Sequence, residues 1–198
     1  MIAKLEPVDD LKTVWKHEAH DFTKWLYDNC DVLGDQIGLT INPIEAEKAI
    51  GSFNVDILAE DNNGKLIVIE NQLEKTNHDH LGKVLTYLSN IDAKIAIWIS
   101  PEPRPEHIRA IEFLNGMSSG DTAFYLVKVQ AFRIGESEPA PLFSIVAGPY
   151  EEQTATRKMK DELNEFEKTR YKFFEQLLEK INEKTSIYSN ISPVGYQG

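Results

Sequence analysis

Apolar and polar positions in the middle of the chain form a pattern that predicts two paired β-strands. Residues 55–87 open with an apolar run (VDILAE), and a turn sequence, Asp-Asn-Asn-Gly, separates it from a second run (KLIVIENQ). Two such runs around a short turn that contains glycine are typical of a β-hairpin. The centre of the second run is almost wholly apolar and rich in β-branched residues, as in a strand buried on both faces. We therefore predict strands at residues 53–60 and 65–72.

Helical and strand patterns flank this hairpin on both sides. Helices are predicted where apolar residues recur at spacings of three or four, at residues 15–30, 79–88 and 106–117. A buried strand is predicted at residues 93–100, a strand with a period-two stretch at 122–134 and a last short strand at 142–148. Residues 34–43 are rich in turn formers, and residues 44–50 fit either a strand or a helical turn. The order of these elements predicts an α/β sandwich with a central mixed β-sheet flanked by helices.

The chain changes character after residue 150. Residues 151–185 are rich in charge, contain neither proline nor glycine, and carry a heptad-like apolar seam interrupted by Arg170. Three parts are therefore predicted: a domain at residues 1–150, an amphipathic helical extension at 151–185, and a disordered tail at 186–198. In one interpretation the helix packs on its own domain, and in the other it forms a homodimer.

Composition restricts the class of protein. The 198 residues carry a net charge of −11, which argues against avid, non-specific DNA binding through lysine and arginine. Cys30 is the single cysteine, so no disulfide forms within the chain, as expected in a reducing compartment. No apolar run approaches the roughly 20 residues of a transmembrane helix, and the N-terminus lacks the pattern of a signal peptide. We therefore expect a cytoplasmic protein without a membrane partner.

Two acidic residues in the hairpin are the candidates for chemistry. Asp56 lies at the start of the first strand, and Glu70 ends the apolar run of the second strand. Pairing of the strands brings these carboxylates together, where they repel each other unless a cation lies between them. Oxygen-rich sites of this kind suit Mg²⁺ or Mn²⁺. The chemistry most often attached to such a site is phosphodiester hydrolysis.

This motif resembles the PD-(D/E)XK nuclease superfamily, which includes restriction-endonuclease-like and tRNA-endonuclease-like domains. The superfamily core is a helix, a three-stranded meander, a helix and a strand, and the predicted order matches it over residues 10–150. A closer resemblance is to uncharacterised prokaryotic proteins in which a second domain of unknown function follows the nuclease-like domain. The stretches that carry it are DFTKWL, GSFNVDILAE, ENQLEKTNHDHLGKVLTY, AIWIS and EHIRAIEFLN. Residues 169–198 look like the opening of that second domain, which the chain would contain in truncated form.

The resemblance implies a set of metal ligands. Asp56 and Glu70 would be the carboxylate ligands of Mg²⁺ or Mn²⁺, and the main-chain carbonyl of Asn71 would be a third oxygen ligand. Glu18, on the first helix, matches an acidic residue that some relatives bring to the same metal and catalytic site. Glu47, ahead of the hairpin, would supply another carboxylate.

Gln72 departs from the superfamily pattern, which has a lysine two positions after the second acid. Gln72 carries no charge, but its amide can hydrogen-bond a water or a phosphate oxygen. Lys83 is the candidate replacement, because it lies one turn before Tyr87, where some relatives carry a Gln-x-x-x-Tyr pattern. Gln72 and Lys83 are thus catalytic candidates, and Tyr87 is a candidate substrate contact. His80 either belongs to the capped start of this helix or contacts a substrate phosphate.

The residues and the resemblance together predict a metal-dependent nuclease, with DNA rather than RNA as its partner. Two alternatives stay open. The missing motif lysine and the negative charge fit a catalytically inactive nucleic-acid-binding module of the same fold. The long C-terminal helix fits a protein-interaction or dimerisation unit.

Overall fold

The computed structural model describes residues 2–51, 53–118, 122–149 and 151–182, and the tail predicted at residues 186–198 lies outside these ranges. The chain divides into two compact units, Met1–Tyr150 and Glu151–Gly198. No helix in the described part of the chain is both long and apolar enough to cross a membrane. The domain functions and the dimer predicted from the sequence stay predictions.

The first unit is built on one β-sheet. Its described strands are β1 Glu6–Pro7, β2 Asn42–Ile50, β3 Phe53–Glu60, β4 Leu66–Asn71, β5 Ile95–Ser100, β6 Ala123–Arg133 and β7 Ala140–Ala147. They lie in the order β1-β6-β5-β4-β3-β2, and β7 also pairs with β6. β4, β5 and β6 run parallel, whereas β2, β3 and β7 run antiparallel to their neighbours. The predicted α/β class with a central mixed sheet is confirmed.

Helices cover the sheet, and their bounds correct part of the sequence prediction. A 3₁₀ turn (Leu11–Thr13) and a π-helix (Glu18–Thr23) precede α1 Lys24–Asp28, α2 Cys30–Ile37, α3 His78–Asn90 and α4 Pro105–Met117. The single helix predicted at residues 15–30 is wrong, because the chain breaks it at Asn29, where φ is −133°. Residues 34–43 were predicted as turns, yet α2 continues to residue 37. It ends at Gly38, whose φ of 72° is a left-handed conformation that glycine adopts at no steric cost.

Two apolar cores hold the layers together. One core joins the N-terminal helices to sheet residues such as Ile57, Ile69 and Ile97. The other joins α3 and α4 to residues such as Val68 and Trp98. β4 and β5 are buried on both faces, as their apolar runs predicted, so their carboxyl ends are held firmly at one edge of the sheet. The second unit contains α5 Glu151–Asn182.

Candidate functional site

The site lies where strands β3 and β4 separate. Their ladder of paired residues ends at Ile57 and Ile69, one step before Asp56 and Glu70. Asp56 Oδ2 accepts hydrogen bonds from the main-chain N–H of Asn71 at 2.8 Å and from Asn71 Nδ2 at 3.0 Å. Beyond the last strand pair, the carboxylate of Asp56 thus takes the place of a main-chain acceptor for the N–H of Asn71, and it lies beside Glu70.

Glu70 is a buried carboxylate, with only 1% of its side chain exposed. Its Oε1 accepts a hydrogen bond from Lys83 Nζ at 2.7 Å, and His80 Nε2 lies 3.7 Å from the same oxygen. Its Oε2 is buried and has no hydrogen-bond partner among the described residues. A buried carboxylate oxygen without a partner is costly, so this atom marks a place where a cation or water is needed.

Electrostatics couple the two carboxyl groups. Burial raises the pKa of Glu70 to about 8, and the charge of Asp56 adds to this effect. Burial also raises the pKa of Asp56 to about 7, although the hydrogen bond from Asn71 acts in the opposite direction. Burial alone would lower the pKa of Lys83, but its hydrogen bond to Glu70 and the nearby carboxylates raise that pKa overall. Near neutral pH the two carboxyls therefore titrate as a coupled pair that resists full ionisation, and the Lys83 ammonium lies against Glu70.

Asn71 connects this pair to the π-helix. Its side chain is fully buried, and its Oδ1 accepts a hydrogen bond from Thr23 Oγ1 at 3.1 Å. The amide of Asn71 donates to Asp56 on its other side, so Thr23 and Asn71 together fix the carboxylate of Asp56. Sequence reasoning did not find Thr23, because residues 23 and 71 meet only through the tertiary fold.

Gln72 is held by protein groups at both polar ends. Its Nε2 donates to the main-chain oxygens of Lys75 at 2.6 Å and Glu74 at 3.3 Å, and its Oε1 accepts from Trp98 Nε1 at 2.9 Å. The side chain is also buried. Gln72 therefore positions the loop that follows β4, and a contact of its amide with a water or a phosphate stays a prediction.

Glu18 and Glu47 lie close enough to Asp56 for their charges to act on it. Glu18 Oε2 accepts a hydrogen bond from the main-chain N–H of Leu73 at 2.6 Å. Glu47 is exposed on the edge strand β2 and has a φ of 53°. Burial is the main cause of the raised pKa of Asp56, and the negative charges of Glu47 and Glu18 raise it further. However, no three His, Cys, Asp or Glu side chains in the described part of the chain form a metal-binding group, so these two predicted ligands are not gathered with Asp56 and Glu70.

The two predicted substrate contacts on α3, Tyr87 and His80, have different hydrogen-bond partners. Tyr87 is fully buried, and its hydroxyl donates to the main-chain oxygen of Asn54 at 2.6 Å. This hydroxyl therefore already has a partner within the protein, and a contact between Tyr87 and substrate stays a prediction. His80 Nδ1 lies 2.9 Å from Oδ1 of Asn77, the N-cap residue of α3, and burial lowers the pKa of His80. His80 therefore belongs to the capped start of α3 and also borders Glu70.

Comparison with known proteins finds similarity at the level of structure alone. No protein-family model matches the sequence, and no curated protein matches it significantly. The chain is similar to an EndoMS-dsDNA2 complex, at 19% identity and a TM-score of 0.40, over 46% of this chain and 39% of that chain. For a repair endonuclease from Pyrococcus abyssi the identity is 20% and the TM-score 0.40, over 46% and 41% of the two chains. Each match covers less than half of either protein.

Proposed function

We propose that the protein is a metal-dependent nuclease of the PD-(D/E)XK type that hydrolyses phosphodiester bonds of DNA. The observation that carries this proposal is Glu70 Oε2, a buried carboxylate oxygen that has no partner among the described residues and lies beside Asp56. A divalent cation would neutralise both carboxyls. The resemblance of residues 55–87 to nucleases favours DNA over RNA as the substrate.

The donor atoms of the site fit Mg²⁺ or Mn²⁺. Asp56, Glu70 and the main-chain carbonyl of Asn71 offer only oxygen, which hard cations prefer. Mg²⁺ commonly takes one or two carboxylates from a protein and keeps several waters or substrate oxygens. Two carboxylates are therefore enough, and neither Glu18 nor Glu47 is needed as a ligand.

The remaining residues orient and charge the site. When bound, a divalent ion supplies electrophilic chemistry, because it neutralises charge on the phosphate and makes water a stronger acid. Lys83 holds an ammonium at Glu70, where it can donate to the attacking water or to a phosphate oxygen. In this way Lys83 supplies the positive charge of the motif lysine, whose position is occupied by Gln72 in this chain. Asn71 and Thr23 keep Asp56 in place.

A cleavage assay tests this proposal. The full chain is incubated with labelled duplex, single-stranded and branched DNA and with RNA, in the presence of Mg²⁺, Mn²⁺ or EDTA. We expect cleavage of DNA that needs the divalent ion and is lost in Asp56→Asn and Glu70→Gln. The matched control is Asp92→Asn, a substitution at an exposed position that is expected to retain activity. Cleavage that persists in EDTA or in Glu70→Gln would show that the site is elsewhere, and binding without cleavage would identify an inactive binding module.

A further inference from the structure

A cleft of about 400 Å³ is lined in part by His80, the residue that borders Glu70. Its lining residues come from the segment that leads into the π-helix, from the loop after β4 and from the start of α3. The charged and imidazole side chains along it are Lys12, Lys16, His17, Glu18, Glu74 and His80. Since His80 also borders Glu70 at 3.7 Å, a ligand in this cleft would lie next to the candidate active site.

The charge of this cleft differs from that of the whole chain. The chain carries a net charge of −11, whereas the lysines of the cleft offset its two glutamates. Glu18 is held by the main-chain N–H of Leu73, and Glu74 pairs with Lys12 at 3.3 Å across an exposed contact. Lys16 is exposed, and its ammonium has no ion-pair partner in the part of the chain that the structure describes. An anion can therefore approach the site along this cleft.

We propose that Lys12, Lys16 and His17, here called the basic patch, bind a backbone phosphate of DNA next to the phosphate that reacts. This inference rests on the proposed nuclease function and assigns substrate-binding residues to it. Phosphate fits because ammonium and imidazole N–H groups donate to its oxygens, and such contacts position a strand without reading its sequence. The patch lies outside the motif of residues 55–87, so the motif could not indicate it.

Glu74 opposes this binding. Its carboxylate holds Lys12 while the cleft is free of DNA and adds a negative charge beside the incoming phosphate. An exposed ion pair contributes little stability, so Lys12 can exchange Glu74 for a phosphate oxygen. Removing the charge of Glu74 should therefore strengthen DNA binding, whereas removing the charge of either lysine should weaken it.

Fluorescence anisotropy of a labelled DNA duplex measures these effects in the full chain. Binding is recorded in EDTA, which prevents metal-dependent cleavage, at several salt concentrations. We expect Lys12→Gln and Lys16→Gln each to weaken binding severalfold and to reduce the slope of log K against log salt by about one. Glu74→Gln is expected to tighten binding severalfold. The affinity of the two lysine variants for an RNA of the same sequence should fall by a similar factor, because the patch contacts phosphate rather than sugar.

Lys94→Gln is the matched control, since Lys94 is a partly exposed lysine at the amino end of β5, away from the cleft. It should change neither the affinity nor the slope. If both patch variants bind with the parent's affinity and slope, or if the parent binds no DNA, the basic patch is refuted. If the variants cleave DNA normally and bind it as the parent does, the basic patch is refuted and the nuclease proposal is not. If the parent binds DNA but does not cleave it, and the variants lose binding, the nuclease proposal is refuted and the basic patch is not.

Discussion

Asp56→Asn is expected to stabilise the metal-free protein, although it removes a residue of the candidate active site. Asparagine keeps an oxygen that can accept the two hydrogen bonds from Asn71. Its amide replaces the second carboxylate oxygen and removes the repulsion between Asp56 and Glu70. The substitution therefore separates the cost of burying the charge from the hydrogen bonds that hold the side chain.

The expected size follows from the pKa of Asp56, which burial raises from 3.8 to about 7. A group whose pKa is raised in the folded state binds more protons there than in the unfolded chain. Asp56 therefore makes the parent lose stability as the pH rises through this window, whereas Asp56→Asn lacks this contribution and keeps only that of Glu70. At about 1.4 kcal/mol per pKa unit the loss has an upper bound of about 4 kcal/mol. Because Asp56 is partly exposed and titrates together with Glu70, we expect about half of this, on the order of 2 kcal/mol.

Urea unfolding followed by tryptophan fluorescence in EDTA checks this prediction. The difference between variant and parent should grow by about 1 kcal/mol between about pH 5.5 and 7, and then level off. This growth is diagnostic, because altered packing contributes equally at every pH. Asp92→Asn is the control: its side chain is 89% exposed, so the free energy of unfolding should change by less than about 0.5 kcal/mol without a pH trend. A stability difference for Asp56→Asn that stays constant over this range, or a net destabilisation, would refute the reasoning.

Three further contacts of the site can be tested singly. Excess Mn²⁺ should raise the Tm of the parent but not of Glu70→Gln, and equal shifts in a thermal melt would place the ion elsewhere. Lys83→Met should lower kcat at least about 100-fold with little effect on KM, while Lys83→Arg retains part of the activity; unchanged steady-state kinetics would exclude Lys83. Thr23→Val should cost about 1–2 kcal/mol in urea unfolding, because Asn71 Oδ1 loses its buried donor; an unchanged midpoint would contradict this.

The hydrophobic pattern predicted the strands well because burial on both faces leaves a continuous apolar run. β4 and β5 are such runs, and the turn between β3 and β4 follows from local chemistry, since Asp61 accepts hydrogen bonds from Asn63 and Lys65. The N-terminal helix was predicted less well. Its apolar spacing fits one helix of 16 residues, but the chain forms a π-helix at Glu18–Thr23 and breaks at Asn29, and apolar periodicity alone distinguishes neither feature from a continuous α-helix.

The sequence predicted the part of the candidate site that lies within one hairpin, and the family resemblance added Lys83, whose ammonium lies 2.7 Å from Glu70. The proximity of Asp56 and Glu70 follows from strand pairing, which local sequence determines. The contacts that complete the site join distant segments: Thr23 with Asn71 across 48 residues, and Glu18 with Leu73 across 55 residues. No pattern in a single sequence encodes such pairs. The partner of the Tyr87 hydroxyl was not predictable for the same reason, because only the fold brings it to Asn54, 33 residues away.

The location of positive charge, rather than its place in the motif, decides what this site can do. Gln72 contacts Trp98 in the core. The Nε1–H of Trp98 needs an acceptor there, and the amide oxygen of Gln72 provides one. A lysine at position 72 has no acceptor, so it would leave the indole of Trp98 unsatisfied in the core. Coulomb attraction depends on distance and not on sequence separation, and Lys83 Nζ reaches Glu70 at 2.7 Å from the neighbouring helix. The need of Trp98 for a buried acceptor therefore explains why position 72 carries a neutral amide. The positive charge next to these carboxylates comes instead from Lys83 on α3.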